Sequence, residues 1–571
     1  MANRRILRVV LALSLVVATA CSADDDDSAP TLDLGARPVE SGIPAGGTPV
    51  RGGQLVYALE ADNINYCLPE AQMAIAGMQV ARAIYDPLVI PNGKGGYSPY
   101  LAESVEPSAD YRTWTIKLRD DVTFHNGEKL DAKLVRDNLD AYRGAPEYGD
   151  DRGPSPRSPL LLTFFFQDID TITATDALTV TVTAKRPWVA FPASLYASGR
   201  VAIMAREQLE ADTDSCELEP IGSGPFRLTS WDVGRSLKLS RNEQYWQKAP
   251  DGEPYPYVNA VEFRPVPNDD ERIASLQRGD INIMHSSAAA DIGGNLTQLE
   301  HEGAINMLVS EERTESAYML INSANEPFDT PEGRIAAAQA IDREELNRLA
   351  NRGLPTVTNQ PFTPDVMGWL EDNGAPDYDP EAAKAAVAKL KEAGKNTAVQ
   401  LMCTTNPSSI RQWSIVKEML EAAGFTVELQ VEVQTDLIDR VIGGEYDLAA
   451  FRSQQGDDPD ANRIWWYGNG NLVNFGRFDD PVINENLDIG RTNPDQDARR
   501  DAYEEVNRRL GSQAYNVWLF FQPWAVAMAP NVHGVVGPKL PNGDEPGARL
   551  ANGHSLLGLW IDNPVEEGPE A

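Results

Sequence analysis

The 571-residue chain is poor in the side chains from which most active sites are built, with four cysteines and five histidines. His125, His285, His301, His533 and His554 are dispersed, without His-Glu-x-x-His or any paired-ligand spacing, which excludes the common zinc sites. No glycine-rich loop ending in Lys-Ser or Lys-Thr offers a phosphate cradle. Gly222-Ser223-Gly224 lacks the Gly-x-Ser-x-Gly frame of a nucleophile elbow. Asp458 to Asn462 alternates oxygen donors, but Arg463 stands where a calcium loop requires glycine and Asn469 where it requires a bidentate glutamate. Together these gaps argue against an enzyme, a cofactor or a bound metal. Basic charge is short too: 50 Lys and Arg face 85 Asp and Glu, for a net charge of −35. Such a balance argues against a nucleic-acid partner. It gives a solvated acidic surface and, secondarily, favours cationic or zwitterionic ligands. Beyond the first twenty residues there is no apolar run that could cross a bilayer; Val517 to Phe521 is far short of the ~20 residues needed.

What is present begins at the N-terminus. Arg4, Arg5 and Arg8 precede an apolar run from Val9 to Ala20, the pattern of a signal peptide over residues 1–20. Ala18-Thr19-Ala20-Cys21 resembles a bacterial lipobox, with Ala18 in place of the more usual leucine. Cys21 is therefore expected to become the acylated first residue, holding the protein at the membrane. Residues 21–49 carry Asp24 to Asp27 and scattered Pro, Gly, Ser and Thr, too polar to form a core, and read as a flexible tether.

Hydrophobic residues make up 42% of the chain, enough for a large core, and the length suggests several domains. Trp114, Ile116 and Leu118 alternate with Thr115, Lys117 and Arg119, predicting a half-buried strand. His125-Asn126-Gly127 supplies a turn, and Asp131 can cap a helix carrying Val135, Leu139 and Tyr142 on one face. Further on, Asp379-Pro380 opens a helix that Gly394 closes, and a strand follows at Val399 to Cys403. A helix with Trp413, Val416 and Leu420 then leads to the strand Phe425 to Val431. Strand, helix, strand predicts a parallel pair with a right-handed crossover. Other helices are expected at Ile335 to Ile341, from Asp342 with Glu345 as a capping box, and at Ala498 to Leu510.

The segment Leu101 to Arg143 resembles the signature of the family 5 solute-binding proteins, which include the oligopeptide, dipeptide and nickel receptors of ABC importers. Similar runs recur in family order: Gln54 to Asp62, Ala81 to Val89, Pro220 to Trp231, Ser240 to Trp246, Phe263 to Ile283, Ala336 to Leu346 and Gly444 to Trp466. The resemblance implies an α/β fold of the two-lobe, hinged periplasmic-binding-protein type, with an additional domain inserted in lobe I. Lobe I would comprise residues 50–76, 218–311 and 526–571, the insert 77–217, and lobe II 312–525. The hinge strands would lie near Tyr318 to Asn322 and Phe520 to Trp524. With Cys21 acylated, three cysteines remain; Cys67 and Cys216 flank the insert and are expected to pair, while Cys403 sits in an alternating strand.

The implied function is capture of a solute, short peptides first, between the lobes and its delivery to ABC permease subunits by a monomeric receptor. A non-peptide solute (an oligosaccharide or a chelated metal) and a scaffolding or sensing lipoprotein stay open as alternatives. The family's ligand contacts fall on the loop Asn63, Ile64, Asn65 from lobe I and on the run containing Arg452, Gln454, Gln455 and Asp457 from lobe II. Trp413, Trp465 and Trp466 are candidate walls. Peptide binders carry an ammonium-capturing aspartate four residues before the proline matching Pro459, where this chain has Gln455; a one-residue gap would let Asp457 substitute. Arg452 is expected to pair with a ligand carboxylate.

Overall fold

A computed structural model describes residues 47–145, 157–159, 161–310, 315–454, 456, 458–547, 550, 553–562 and 564. Three of their five sheets, the other two being two-stranded, organise them. The first has seven strands in the order Asn306–Val309, Ala525–Met528, Ile283–Ser286, Gln54–Leu59, Ala260–Pro265, Ser236–Arg241 and Phe226–Asp232. Its central strand Gln54–Leu59 runs parallel to both Ala260–Pro265 and Ile283–Ser286. The second has six strands in the order Thr356–Val357, Asn516–Phe521, Glu315–Ile321, Leu448–Gln454, Ala398–Thr404 and Thr426–Glu432. The third is an antiparallel sheet of Ala102–Pro107, Thr113–Leu118, Thr179–Ala184 and Ile169–Ala174. The architecture is thus a two-lobe α/β type, one large sheet to each lobe, with the small antiparallel sheet inserted between Gln54–Leu59 and the later strands of lobe I.

Local sequence chemistry accounts for these elements. Trp114, Ile116 and Leu118 are buried on the strand Thr113–Leu118. Asp131 accepts from the Leu134 amide at 2.7 Å and starts the helix Ala132–Tyr142. Asp379 caps Pro380–Glu392 through the Ala382 amide, and Gly394 takes a left-handed conformation just beyond that helix's end, at φ 78°. The strands Ala398–Thr404 and Thr426–Glu432 pair in parallel around the helix Pro407–Ala422, as strand-helix-strand periodicity predicts. Among the described residues no helix is long and apolar enough to cross a membrane.

The chain passes between the two large sheets twice, from Val309 to Glu315 and from Phe521 to Ala525. The hinge strand expected near Tyr318 to Asn322 coincides with the strand Glu315–Ile321 of the second sheet, and the one expected near Phe520 to Trp524 overlaps the second connection. The two connections are held together. The Ser310 amide donates to the Trp524 carbonyl at 2.7 Å, and the Gln522 amide to the Glu315 carbonyl at 2.8 Å. Cys67 and Cys216 form a disulfide across a separation of 149 residues, and Cys403 is buried and free.

Candidate ligand-binding site

Where the C-terminal ends of Gln54–Leu59 and Leu448–Gln454 face each other, the lobes enclose a cavity of about 480 Å³. Lobe I brings Glu60, Asp62, Ile64 and Ser287 to its wall, the insert brings Phe165 and Arg200, and lobe II brings Tyr318, Trp413, Phe451, Arg452, Trp465 and Phe475. The aromatic side is built as a chain of ring contacts: Tyr318 to Phe451 at 5.9 Å and Phe451 to Phe475 at 5.7 Å, both edge-on, and a tilted Trp465 to Phe475 pair at 5.5 Å between ring centroids. Apolar walls with a few directed polar groups are what small-solute sites require.

Arg452 crosses the cleft. Its guanidinium donates to Ser287 Oγ at 2.9 Å, lies 3.4 Å from carboxylate oxygens of both Glu60 and Glu315, and sits over the Trp524 ring at 5.5 Å. Burial is the largest single influence on the Glu60 carboxyl and alone would raise it, but Arg452 together with the other neighbours, Arg272 and the Ser287 hydroxyl among them, outweighs it and holds that group below its ordinary range. For Glu315 burial wins, and its carboxyl is raised although Arg452 and the Trp524 indole N–H, at 2.8 Å, oppose the shift. Behind Glu60, His285 Nε2 accepts from the Glu60 backbone N–H at 2.8 Å, which fixes a neutral ring protonated at Nδ1. Burial pushes His285 down to about 4. Asp62 lies at the same wall, accepting from the Gly234 amide at 2.6 Å; burial raises its carboxyl.

Of the expected contact residues, Ile64, Trp413 and Arg452 line the cavity. Asn63 does not; it turns back to the Asn65 carbonyl and packs against Gly77. Asn65 serves the disulfide loop, with Nδ2 donating to Glu217 and Oδ1 accepting from the Cys67 amide. Trp466 is buried edge-on against Phe362 in the lobe II core, and its neighbour Trp465 takes the cavity position. Two adjacent tryptophans at a short helix point to opposite sides, and composition cannot say which one faces the cleft. Arg452 is engaged by two protein carboxylates and is not a free fork for a ligand carboxylate. Gln454 ends the strand Leu448–Gln454; Gln455, Asp457 and Cys21 lie outside the described residues. Glu60, Asp62, Tyr318 and Arg200 were not singled out by sequence as ligand contacts. A charged residue just past a strand end was the available signal for Glu60 and Asp62; nothing local marked Arg200.

A second set of contacts joins the insert to lobe II away from the cavity. Arg491 bonds both oxygens of Asp460 at 3.0 to 3.2 Å and Asp168 at 2.7 Å, and the Trp188 indole donates to Asp460 at 3.0 Å. Asn406 also donates across the cleft to the Pro267 carbonyl at 3.3 Å. The lobes are closed on one another in this structure.

Among the described residues no group of three or more His, Cys, Asp or Glu side chains is placed to hold a metal ion. The family model for bacterial extracellular solute-binding proteins, family 5 (Middle), matches residues 96–474. The glutathione-binding protein GsiB of Escherichia coli strain K12 is 28% identical over 315 residues, 55% of this chain and 56% of that protein. GsiB of Pectobacterium atrosepticum is 29% identical over 294 residues, 52% of each. The chain spans about half the length of the curated relatives it matches. Among solved structures, the binding protein AgaA of A. tumefaciens R10 in complex with agropinic acid superposes with a TM-score of 0.78 at 24% identity, covering 90% of this chain and 100% of that one. DppA of Helicobacter pylori in complex with the peptide STSA gives 0.77 at 21% identity, covering 90% and 99%. AppA of Bacillus subtilis in complex with a nonapeptide gives 0.76 at 19%, covering 90% and 100%. These three share the fold.

Proposed function

Because the chain belongs to the bacterial extracellular solute-binding proteins of family 5, we propose that it captures a small solute, short peptides above all, between its lobes and presents the closed form to the permease of an ABC importer. The observation that carries this is the Arg452 bridge. It joins a lobe II strand to Glu60 and Ser287 of lobe I at the edge of an aromatic-walled cavity. A bridge of this kind forms only when the lobes meet, so a ligand that contacts both sides and the Arg452 contacts favour the same closed state. The cavity volume falls within the range of small-molecule sites, roughly 300 to 1,000 Å³. Relatives named for glutathione and fold neighbours in complex with peptides support the peptide class. Asp457, with Gln455 as the alternative, is proposed as the group that meets a peptide ammonium.

A second solute class is kept by the neighbour holding agropinic acid and by the aromatic wall of Phe451, Trp465 and Phe475. Titration calorimetry of the purified protein with a short-peptide mixture and with an oligosaccharide mixture separates the two. Heat from peptides alone supports the peptide class, and heat from sugars alone overturns it. The Val9 to Ala20 run and Cys21 support lipid anchoring on the extracytoplasmic side of the membrane. Cys21→Ser should release the protein from membranes; retention of the variant contradicts the anchor.

A further inference from the structure

Three polar atoms at the cavity wall are buried without a hydrogen-bond partner among the described residues: Gln72 Oε1, Arg200 Nε and Asn351 Nδ2. Arg200 stands apart because it carries charge. Every other arginine at the wall has a carboxylate: Arg452 meets Glu60 and Glu315. Arg200 forms no ion pair among the described residues and feels only the field of Glu315. Burial drives its guanidinium down to about 10, the sign of a cation whose desolvation is not offset. The chain also strains to place it. Ala197, Ser198 and Gly199 immediately before it have φ of 44°, 57° and 92°, a left-handed run that two of the three residues adopt at a cost. Arg200 is half-buried with its Nε enclosed, and holding an uncompensated cation there behind a strained turn is unfavourable for folding; such costs persist where a site needs them.

We infer that Arg200, contributed by the inserted domain, binds a carboxylate of the captured solute, so that ligands of this receptor are acids or zwitterions. Its planar fork suits a carboxylate in two parallel hydrogen bonds. Arg200 thereby takes the role that Arg452, occupied by Glu60 and Glu315, cannot take. Specificity follows from the same imbalance, since a neutral ligand leaves the half-buried cation unpaired while an acid completes it.

This inference rests on the receptor function proposed above. The test compares matched acids and amides: short peptides with a free or amidated C-terminus, and small sugar acids with their amides, titrated into wild type, Arg200→Gln and Arg200→Lys. Wild type should prefer the acid of a pair by about 10- to 100-fold, the range of a charge-assisted hydrogen-bonded contact. Arg200→Gln should bind acid and amide alike, and Arg200→Lys should keep part of the preference. Without ligand, Arg200→Gln should unfold at the same or a higher temperature, because it removes an unpaired, half-buried charge. Equal wild-type binding of acid and amide, a preference that survives in Arg200→Gln, or no binding of any acid overturns the inference. An Arg200-dependent preference seen only with sugar acids overturns the peptide assignment and upholds Arg200. Binding of neutral ligands alone overturns Arg200 and leaves a solute receptor standing.

Discussion

The Arg452 guanidinium of lobe II lies 3.4 Å from the Glu60 carboxylate of lobe I, with Ser287 Oγ at 2.9 Å on the same nitrogen that approaches Glu315. Arg452→Gln leaves two carboxylates, Glu60 and Glu315, facing each other across the cleft without their cation. The open state, in which water reaches both, is then favoured. Ligand affinity should fall by about tenfold or more, as when one member of a desolvated charge pair is truncated. Calorimetric titration of the variant checks this, and an unchanged Kd contradicts a role for Arg452 in closure.

Arg491 is buried between Asp460 and Asp168, so Arg491→Met leaves the buried Asp460 without its cation and Asp168 with Arg186 alone. Loss of one partner from such a cluster typically costs about 3 to 5 kcal/mol. Scanning calorimetry should show a lower unfolding temperature, with the insert and lobe II loosened from each other. Replacing the set with Asp460→Asn and Asp168→Asn beside Arg491→Met should recover much of the loss.

Acid should weaken the fold in two steps. His285 and His554 are both pushed down to about 4, by burial in each case. His554 accepts from the Tyr57 hydroxyl at Nε2, at 2.9 Å, and its Nδ1 donates to the Ser555 carbonyl, the bonding of a neutral ring. A histidine depressed in the folded state stabilises above its unfolded value near ~6.5 and loses that contribution as pH falls toward 4, up to about 3 kcal/mol for each ring. Asp168 gives the second step. Burial alone would raise it, but Arg491 and Arg186 hold it down at about 2, so its contribution, about 2 kcal/mol, is intact above ~4 and lost between ~4 and 2. Unfolding temperatures from pH 7.5 to 2 should fall first between 6.5 and 4; a flat profile there contradicts neutral buried histidines.

The Cys67–Cys216 bond closes a loop of 149 residues around the insert. In the chain-entropy model a loop of that length stabilises by about 4 to 5 kcal/mol. Cys67→Ser should lower the unfolding temperature accordingly, and non-reduced peptide mapping should find the Cys67–Cys216 pair with Cys403 free. A bond to Cys403 contradicts the pairing.

Regular elements were legible because their signals are local. The Asp131 and Asp379 caps, the Gly394 stop and the alternation around Trp114 each rest on a few neighbouring residues. The glycines of Pro220 to Trp231 were visible as a motif, and only the structure gives their reason: a Cβ on Gly222 would lie 2.0 Å from the Ile84 carbonyl oxygen, where the loop crosses the end of the helix Ile75–Ile84. The site was less legible. Ile64 and Trp413 were found at cavity positions, but whether Trp465 or Trp466 faces the cleft depends on the helix's rotation against Phe362 and Phe475. Arg452's commitment to Glu60 joins residues 392 apart, and Arg200 is marked by what fails to meet it. Neither relationship leaves a trace in spacing.

The central claim, that this protein is a receptor closing on a small solute, is tested most directly by single-molecule energy transfer between dyes on Val233→Cys in lobe I and Glu381→Cys in lobe II, both at exposed sites. Titration with short acidic and zwitterionic peptides should draw a mixed or open population into one short-distance state at the concentrations that give calorimetric heat. A distance distribution that stays the same while ligand binds contradicts closure as the mechanism.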